Sequence, residues 1–98
     1  MAYKRISSLG AKEFIENKGD VVLLDIRDKD SYINGYATGA LHLTQESLPS
    51  FLAGTSKELP VLVMCYHGNS SQMVAQFLSE QGFAEVYSID GGYEEWGA

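Results

Sequence analysis

The sequence predicts an α/β fold built around a mostly parallel sheet. Three observations lead there. Apolar runs of strand length recur at Val21-Val22-Leu23-Leu24 and Val61-Leu62-Val63-Met64, without the alternation of a half-exposed strand. Such runs suit strands covered on both faces. Segments with helical periodicity lie between them, and Gly, Asp or Asn separates most of the elements.

Taken in order, Ala11, Phe14 and Ile15 fall on one face of a first helix that Gly19 is placed to stop. A strand follows over Val21–Asp25. Asp28 is positioned to cap a short helix running to Asn34, with Gly35 as its stop. Ala40–Leu43 reads as a short strand, and Ser47–Ala53 as a short helix with Pro49 in its first turn and Gly54 at its end. Val61–Met64 is the next buried strand. Gln72–Gln81 is the clearest helix, with Val74, Phe77, Leu78 and Gln81 on a shared face, Gly82 as stop and Phe83 packing back on the last turn. Val86–Ile89 is one more strand, Asp90-Gly91-Gly92 a tight turn, and Gly92–Trp96 a final helical turn anchored by Trp96.

The 98 residues, 45% of them hydrophobic, suit one domain (1–98) with a modest core. A net charge of −6 and a pI near 4.7 argue against nucleic acid or an anionic membrane as partner. The single cysteine offers neither an internal disulfide nor a metal cluster and fits a reducing compartment. His42 and His67 have no partners at metal-ligand spacing, and no cofactor is implied. The first residues lack the apolar stretch of a secretory signal, which points to the cytoplasm.

Cys65 stands where the buried strand Val61–Met64 runs through Tyr66, His67, Gly68, Asn69, Ser70 and Ser71 into a helix. A strand end, a glycine turn and a helix N-terminus gather N–H groups around one point and favour an anion there. A cysteine in that position has a lowered pKa and reacts as thiolate. Asn69 or Ser70 can cap the helix, and Asn69 with Gln72 has capping-box spacing. The hydroxyls of Ser70 and Ser71 either donate toward the sulfur or only cap. Asp25 and Cys65 both end strands, the place where α/β sheets carry their sites. Asp25 is expected to order a turn by accepting N–H bonds, with Arg27 paired to a nearby carboxylate. His67 reads as a partly exposed loop residue and His42 as a structural strand residue.

A thiolate in such a cradle suits attack on phosphorus or on sulfur. A cysteine phosphatase needs a guanidinium six positions after the cysteine, where this chain has Ser71, and no Arg or Lys follows Cys65 at all. A persulfide, with about one negative charge, can be held by N–H groups alone. The absence of arginine therefore disfavours phosphatase and arsenate reductase and is compatible with sulfur transfer.

Four segments then carry a resemblance. They are Asp25-Ile26-Arg27-Asp28; Gly35-Tyr36-Ala37-Thr38-Gly39-Ala40-Leu41-His42-Leu43-Thr44; Val63-Met64-Cys65-Tyr66-His67-Gly68-Asn69-Ser70-Ser71; and Val86-Tyr87-Ser88-Ile89-Asp90-Gly91-Gly92 with Trp96. In them the chain resembles the single-domain rhodaneses, most closely the GlpE type of the bacterial glycerol-3-phosphate regulon. That resemblance implies a rhodanese fold with a five-stranded, mostly parallel sheet flanked by helices. It implies a ping-pong reaction in which thiosulfate sulfurates Cys65 and cyanide or a thioredoxin-like dithiol protein removes the sulfur. It also implies an active-site loop of Cys65 to Ser70, the length that goes with sulfur substrates. Many rhodaneses carry a basic residue after the cysteine and another at the loop's end; Tyr66 and Ser70 stand there, so thiosulfate is expected to bind weakly, through backbone donors. The usual Gly-His pair of the second segment is Gly35-Tyr36. The competing readings are a non-enzymatic protein-binding or persulfide-relay module, separated by its lack of turnover, and a redox sensor, which would need an external resolving thiol. Monomer and weak dimer both remain open.

Overall fold

A computed structural model of the protein describes residues 3–97. Five strands alternate with five helices. They are β1 (Lys4–Ile6), α1 (Ser8–Lys18), β2 (Val22–Asp25), α2 (Lys29–Asn34), β3 (Leu41–His42), α3 (Leu48–Gly54), β4 (Val61–Met64), α4 (Ser70–Glu80), β5 (Val86–Ile89) and α5 (Gly92–Trp96). The sheet has the order β1-β5-β4-β2-β3, and every pairing is parallel.

The apolar runs are continuous because both faces of the sheet are covered. Leu23, Leu62, Met64 and Ile89 point to one face, where Ala11, Phe14 and Ile15 of α1 and Trp96 of α5 pack on them. Leu24, Val61, Val63 and Val86 point to the other, under Ala75 and Leu78 of α4 and Phe51 and Leu52 of α3. Caps fix the ends. Asp28 accepts from the Ser31 N–H at the start of α2. At the end of α4, Phe83 N–H bonds to Leu78 O and Gly82 N–H to Ser79 O, a Schellman pattern in which Gly82 takes φ +104°.

Three sequence expectations need correction. Lys4–Ile6 forms a strand not expected from the sequence, because Lys4 and Arg5 are exposed and are held by pairing with Tyr87 and Ser88 and by the Arg5–Asp90 ion pair. The strand expected over Ala40–Leu43 shortens to Leu41–His42. The buried stripe of α4 is Ser71, Ala75 and Leu78, whereas Phe77 and Gln81 face outward. Small residues are needed on that stripe because its N-terminal turn lies directly against the end of β4.

The chain leaves β2 toward β3 and leaves β4 toward β5, in opposite directions across the sheet. Tyr32 of α2 packs on one core cluster and α4 on the other. A crevice therefore opens between the carboxyl ends of β2 and β4, the topological switch point where open α/β sheets bind their ligands.

Candidate active site

Cys65 follows β4 directly, and the six residues after it fold back beneath its sulfur. The Gly68 N–H reaches Sγ at 3.1 Å and the Ser71 N–H at 3.3 Å. Gly68 makes this turn at φ +92°, and a Cβ there would stand 2.8 Å from the Gly91 nitrogen. On the opposite side the turn rests on the start of α5. The Tyr93 N–H bonds to Cys65 O at 2.7 Å and the Glu94 N–H to Tyr66 O at 3.1 Å. Gly92, at φ +57°, lies so close to the Cys65 and Tyr66 carbonyls that a side chain would collide with them. The expected tight turn at Asp90-Gly91-Gly92 is thus the support of the cysteine loop.

Burial raises the Cys65 pKa, but donors outweigh it: the Ser71 hydroxyl, then the N–H groups of Ser71, Gly68 and His67, bring it below the ordinary thiol value. The Ser71 hydroxyl in turn shares a 2.7 Å hydrogen bond with the buried Ser88 hydroxyl of β5. Ser88 was not foreseen from sequence; a polar residue inside the strand Val86–Ile89 was the available signal. Of the two hydroxyls considered for the sulfur, Ser71 acts on it. Ser70 is exposed and lines the cleft. The capping box does not form. Asn69 takes a helical backbone conformation without a side-chain cap, and the Gln72 amide donates to Gly68 O at 3.0 Å, which ties the glycine of the loop to α4.

A cleft of about 310 Å³ opens above the sulfur, lined by Ile26, Arg27 and Asp28 from the end of β2 and by Cys65, Tyr66, His67, Asn69 and Ser70. Arg27 lines it, and Asp25 lies buried behind Arg27. The Asp25 carboxylate accepts from the Arg27 N–H at 2.9 Å, from Nε at 3.0 Å and from Nη2 at 2.7 Å, with both side chains buried. Those hydrogen bonds raise the Arg27 pKa above its ordinary value against the opposing effect of burial. The remaining Nη2 valence goes to Gly35 O at 2.6 Å, and the guanidinium lies 3.9 Å from the Tyr93 ring centre. His42 bonds Arg27 O at 2.6 Å through Nε2 and stacks on Tyr32. Tyr36, in place of the expected histidine, stacks on the other side of the same ring neighbourhood, 4.4 Å from Tyr32. Tyr66 is half-exposed and donates through its hydroxyl to Asp28 Oδ1 at 3.2 Å; His67 is exposed. Tyr93 and the cleft-facing position of Asp28 were likewise not foreseen, because both depend on which loops the sheet order brings together.

Comparison with known proteins agrees with this architecture. The rhodanese-like domain family matches residues 10–98. The thiosulfate sulfurtransferase GlpE of Coxiella burnetii is 53% identical over 98 residues, which are all of this chain and 91% of the relative. A crystal structure of a Staphylococcus saprophyticus protein superposes with a TM-score of 0.82 at 26% identity, over 96% of this chain and 93% of the other. A rhodanese-like domain protein from Staphylococcus aureus does so with a TM-score of 0.83 at 24% identity, over 96% and 91%. With its parallel five-stranded sheet and this family match over most of its length, the chain belongs to the rhodanese-like domain family.

Proposed function

We propose that this protein is a thiosulfate sulfurtransferase in which Cys65 carries the sulfur. The observation that supports this most directly is the cradle itself: two N–H groups converge on Sγ from a loop that contains no cationic side chain. The similarity to a protein named thiosulfate sulfurtransferase supplies the donor.

The Cys65 thiolate attacks the outer sulfur of thiosulfate. The S–S bond of the donor breaks, sulfite leaves with the bonding pair, and Cys65 keeps a persulfide anion. Charge is conserved, so no general base is needed once the thiol is ionised. The loop from Tyr66 to Ser70, together with Ser71, offers dipoles that stabilise one negative charge before and after transfer. In the second half-reaction an acceptor nucleophile takes the outer sulfur and the thiolate returns. Cyanide, giving thiocyanate, or a thioredoxin-like dithiol protein serves as acceptor. Asp25 and Arg27 support the loop from β2 without touching the sulfur.

On this reading the whole chain acts as one domain, in the cytoplasm, as a monomer or weak dimer, and serves glycerol metabolism as its GlpE-type resemblance suggests. Among the described residues no helix is long and apolar enough to cross a membrane.

Intact-mass analysis tests the proposal. Incubation with thiosulfate should add one sulfur atom that cyanide removes, and Cys65→Ala should fold but never gain it. Full turnover by Cys65→Ala, or no mass gain with any thiosulfate concentration, would overturn it.

A further inference from the structure

The cleft above Cys65 carries a charge that sulfur transfer as described above does not use. Its wall contributes two formally charged side chains, Arg27 and Asp28. The Arg27 charge is matched by Asp25 at 2.7 Å inside the buried turn. Asp28 is not matched: among the described residues no cationic side chain pairs with it. Its partners are neutral donors, the Ser31 hydroxyl at 2.8 Å, the Ser31 N–H at 3.2 Å and the Tyr66 hydroxyl at 3.2 Å. The Ser31 donors, with a smaller contribution from Tyr66, hold its carboxyl below the usual range, so it is ionised at neutral pH. Tyr66 belongs to the cysteine loop, and its hydroxyl fixes this carboxylate at the rim. With Arg27 already paired to Asp25, Asp28 is the one charge on the cleft wall without an ion-pair partner among the described residues, and Lys29, on the adjoining groove, makes no ion pair with it.

We infer that Asp28 is a specificity-determining residue that discriminates among sulfur donors by charge, against dianions such as thiosulfate and in favour of monoanions such as thiosulfonates. The inference rests on the reading of Cys65 as sulfur carrier. The chemistry is the same for both donors: the Cys65 sulfur bonds to the terminal sulfur, the donor S–S bond breaks, and sulfite or a sulfinate leaves with the pair. Only the charge brought past Asp28 differs. Coulomb energy is proportional to that charge, so the penalty for a dianion, as a fold-change, is the square of that for a monoanion.

Asp28→Asn removes the charge and keeps an N-cap for α2, its one carbonyl oxygen accepting from the Ser31 N–H as Oδ2 does in the native protein, while the Oδ1 acceptor of the Tyr66 hydroxyl is lost. Two readouts apply to the full chain at one fixed pH. In the first, Cys65, the only thiol present, is alkylated with iodoacetate and with neutral iodoacetamide; the ratio of rates reports the potential at the sulfur and cancels any change in thiol ionisation. Asp28→Asn should raise the ratio about threefold to tenfold, and the gain should shrink at about 1 M salt, where the Debye length is about 3 Å. Asp28→Glu, which restores the charge, should return the ratio to that of the native protein. In the second, the KM for thiosulfate should fall in Asp28→Asn by about the square of the fall for methanethiosulfonate. An unchanged alkylation ratio, a shift of equal size in Asp28→Glu, or equal changes for the two donors would overturn the inference. Absence of transfer from either donor in the native protein would instead overturn the sulfur-carrier reading, and the alkylation ratio would still decide the charge of the cleft.

Discussion

Two turns at the ends of neighbouring strands meet at the cleft, and they handle charge in opposite ways. At the end of β2, Asp25 and Arg27 bring full charges into the interior and neutralise each other in a bidentate pair with both side chains buried. At the end of β4, Cys65 gathers N–H and O–H dipoles and has no counter-ion in its loop. The first arrangement is held from several sides: the carboxylate takes the Arg27 N–H as well, and the second Nη2 hydrogen goes to Gly35 O. The second is open, because dipoles lower the cost of a negative charge without binding it to a partner. A thiolate held this way remains free to react, whereas a carboxylate held by a guanidinium becomes part of the scaffold.

The comparison can be broken first at Asp25. Asp25→Asn leaves the buried Arg27 guanidinium without an anion and should lower stability by about 3–5 kcal/mol. Urea denaturation measures this, and the alkylation rate of Cys65 in the protein that remains folded should change little. A large loss of thiol reactivity with intact stability would mean that the β2 turn takes part in the chemistry.

Ser71→Ala tests the open turn. It removes a hydroxyl that donates to the sulfur and leaves the Ser71 N–H in place. The iodoacetamide rate at neutral pH should fall about threefold to tenfold, the worth of a hydrogen bond to a charged group moderated by the higher nucleophilicity of a more basic thiolate. The pH midpoint of alkylation should move to the alkaline side. An unmoved midpoint would show that the backbone donors alone set the ionisation.

The smallest effect is thermodynamic. The Cys65 pKa is lowered in the folded state relative to an ordinary thiol. Its contribution is therefore fully present above the unfolded thiol value and is lost as pH falls through the folded, lowered one. Between those two values the unfolded chain binds more protons, and the stability of the native protein relative to Cys65→Ala should rise with pH. Chemical denaturation across that window measures the difference; a difference that falls with rising pH would contradict a stabilised thiolate.

Much of this was legible in the sequence, for physical reasons that also mark where legibility stops. β2, β4 and most of β5 announce themselves because strands buried on both faces must be apolar throughout. The cysteine loop was legible because a strand, a glycine at positive φ and a helix start appear in order along the chain. β1 was not, since Lys4 and Arg5 are exposed and the strand exists through its pairing with β5 and the Arg5–Asp90 ion pair. Asp28 was recognised as a helix cap, which is local, but its place on the cleft wall depends on β2 lying beside β4. Ser88 reaches Ser71 only because β5 pairs with β4 on its other side. The face of α4 was misjudged for a related reason: helical spacing marks Phe77 as core-facing, while close approach to the sulfur selects the small stripe of Ser71 and Ala75.

The support of the cysteine loop comes from residues 91 to 94, which follow the loop along the chain only after α4 and β5. Until those residues arrive, the carbonyls of Cys65 and Tyr66 lack the amides of Tyr93 and Glu94 that hold them in the folded protein. Vectorial synthesis thus delivers the thiol well before the structure that makes it acidic. An unfolded chain carries an ordinary thiol, and the acidity of Cys65 arrives only with folding, when the loop and the turn that carries it are in place together.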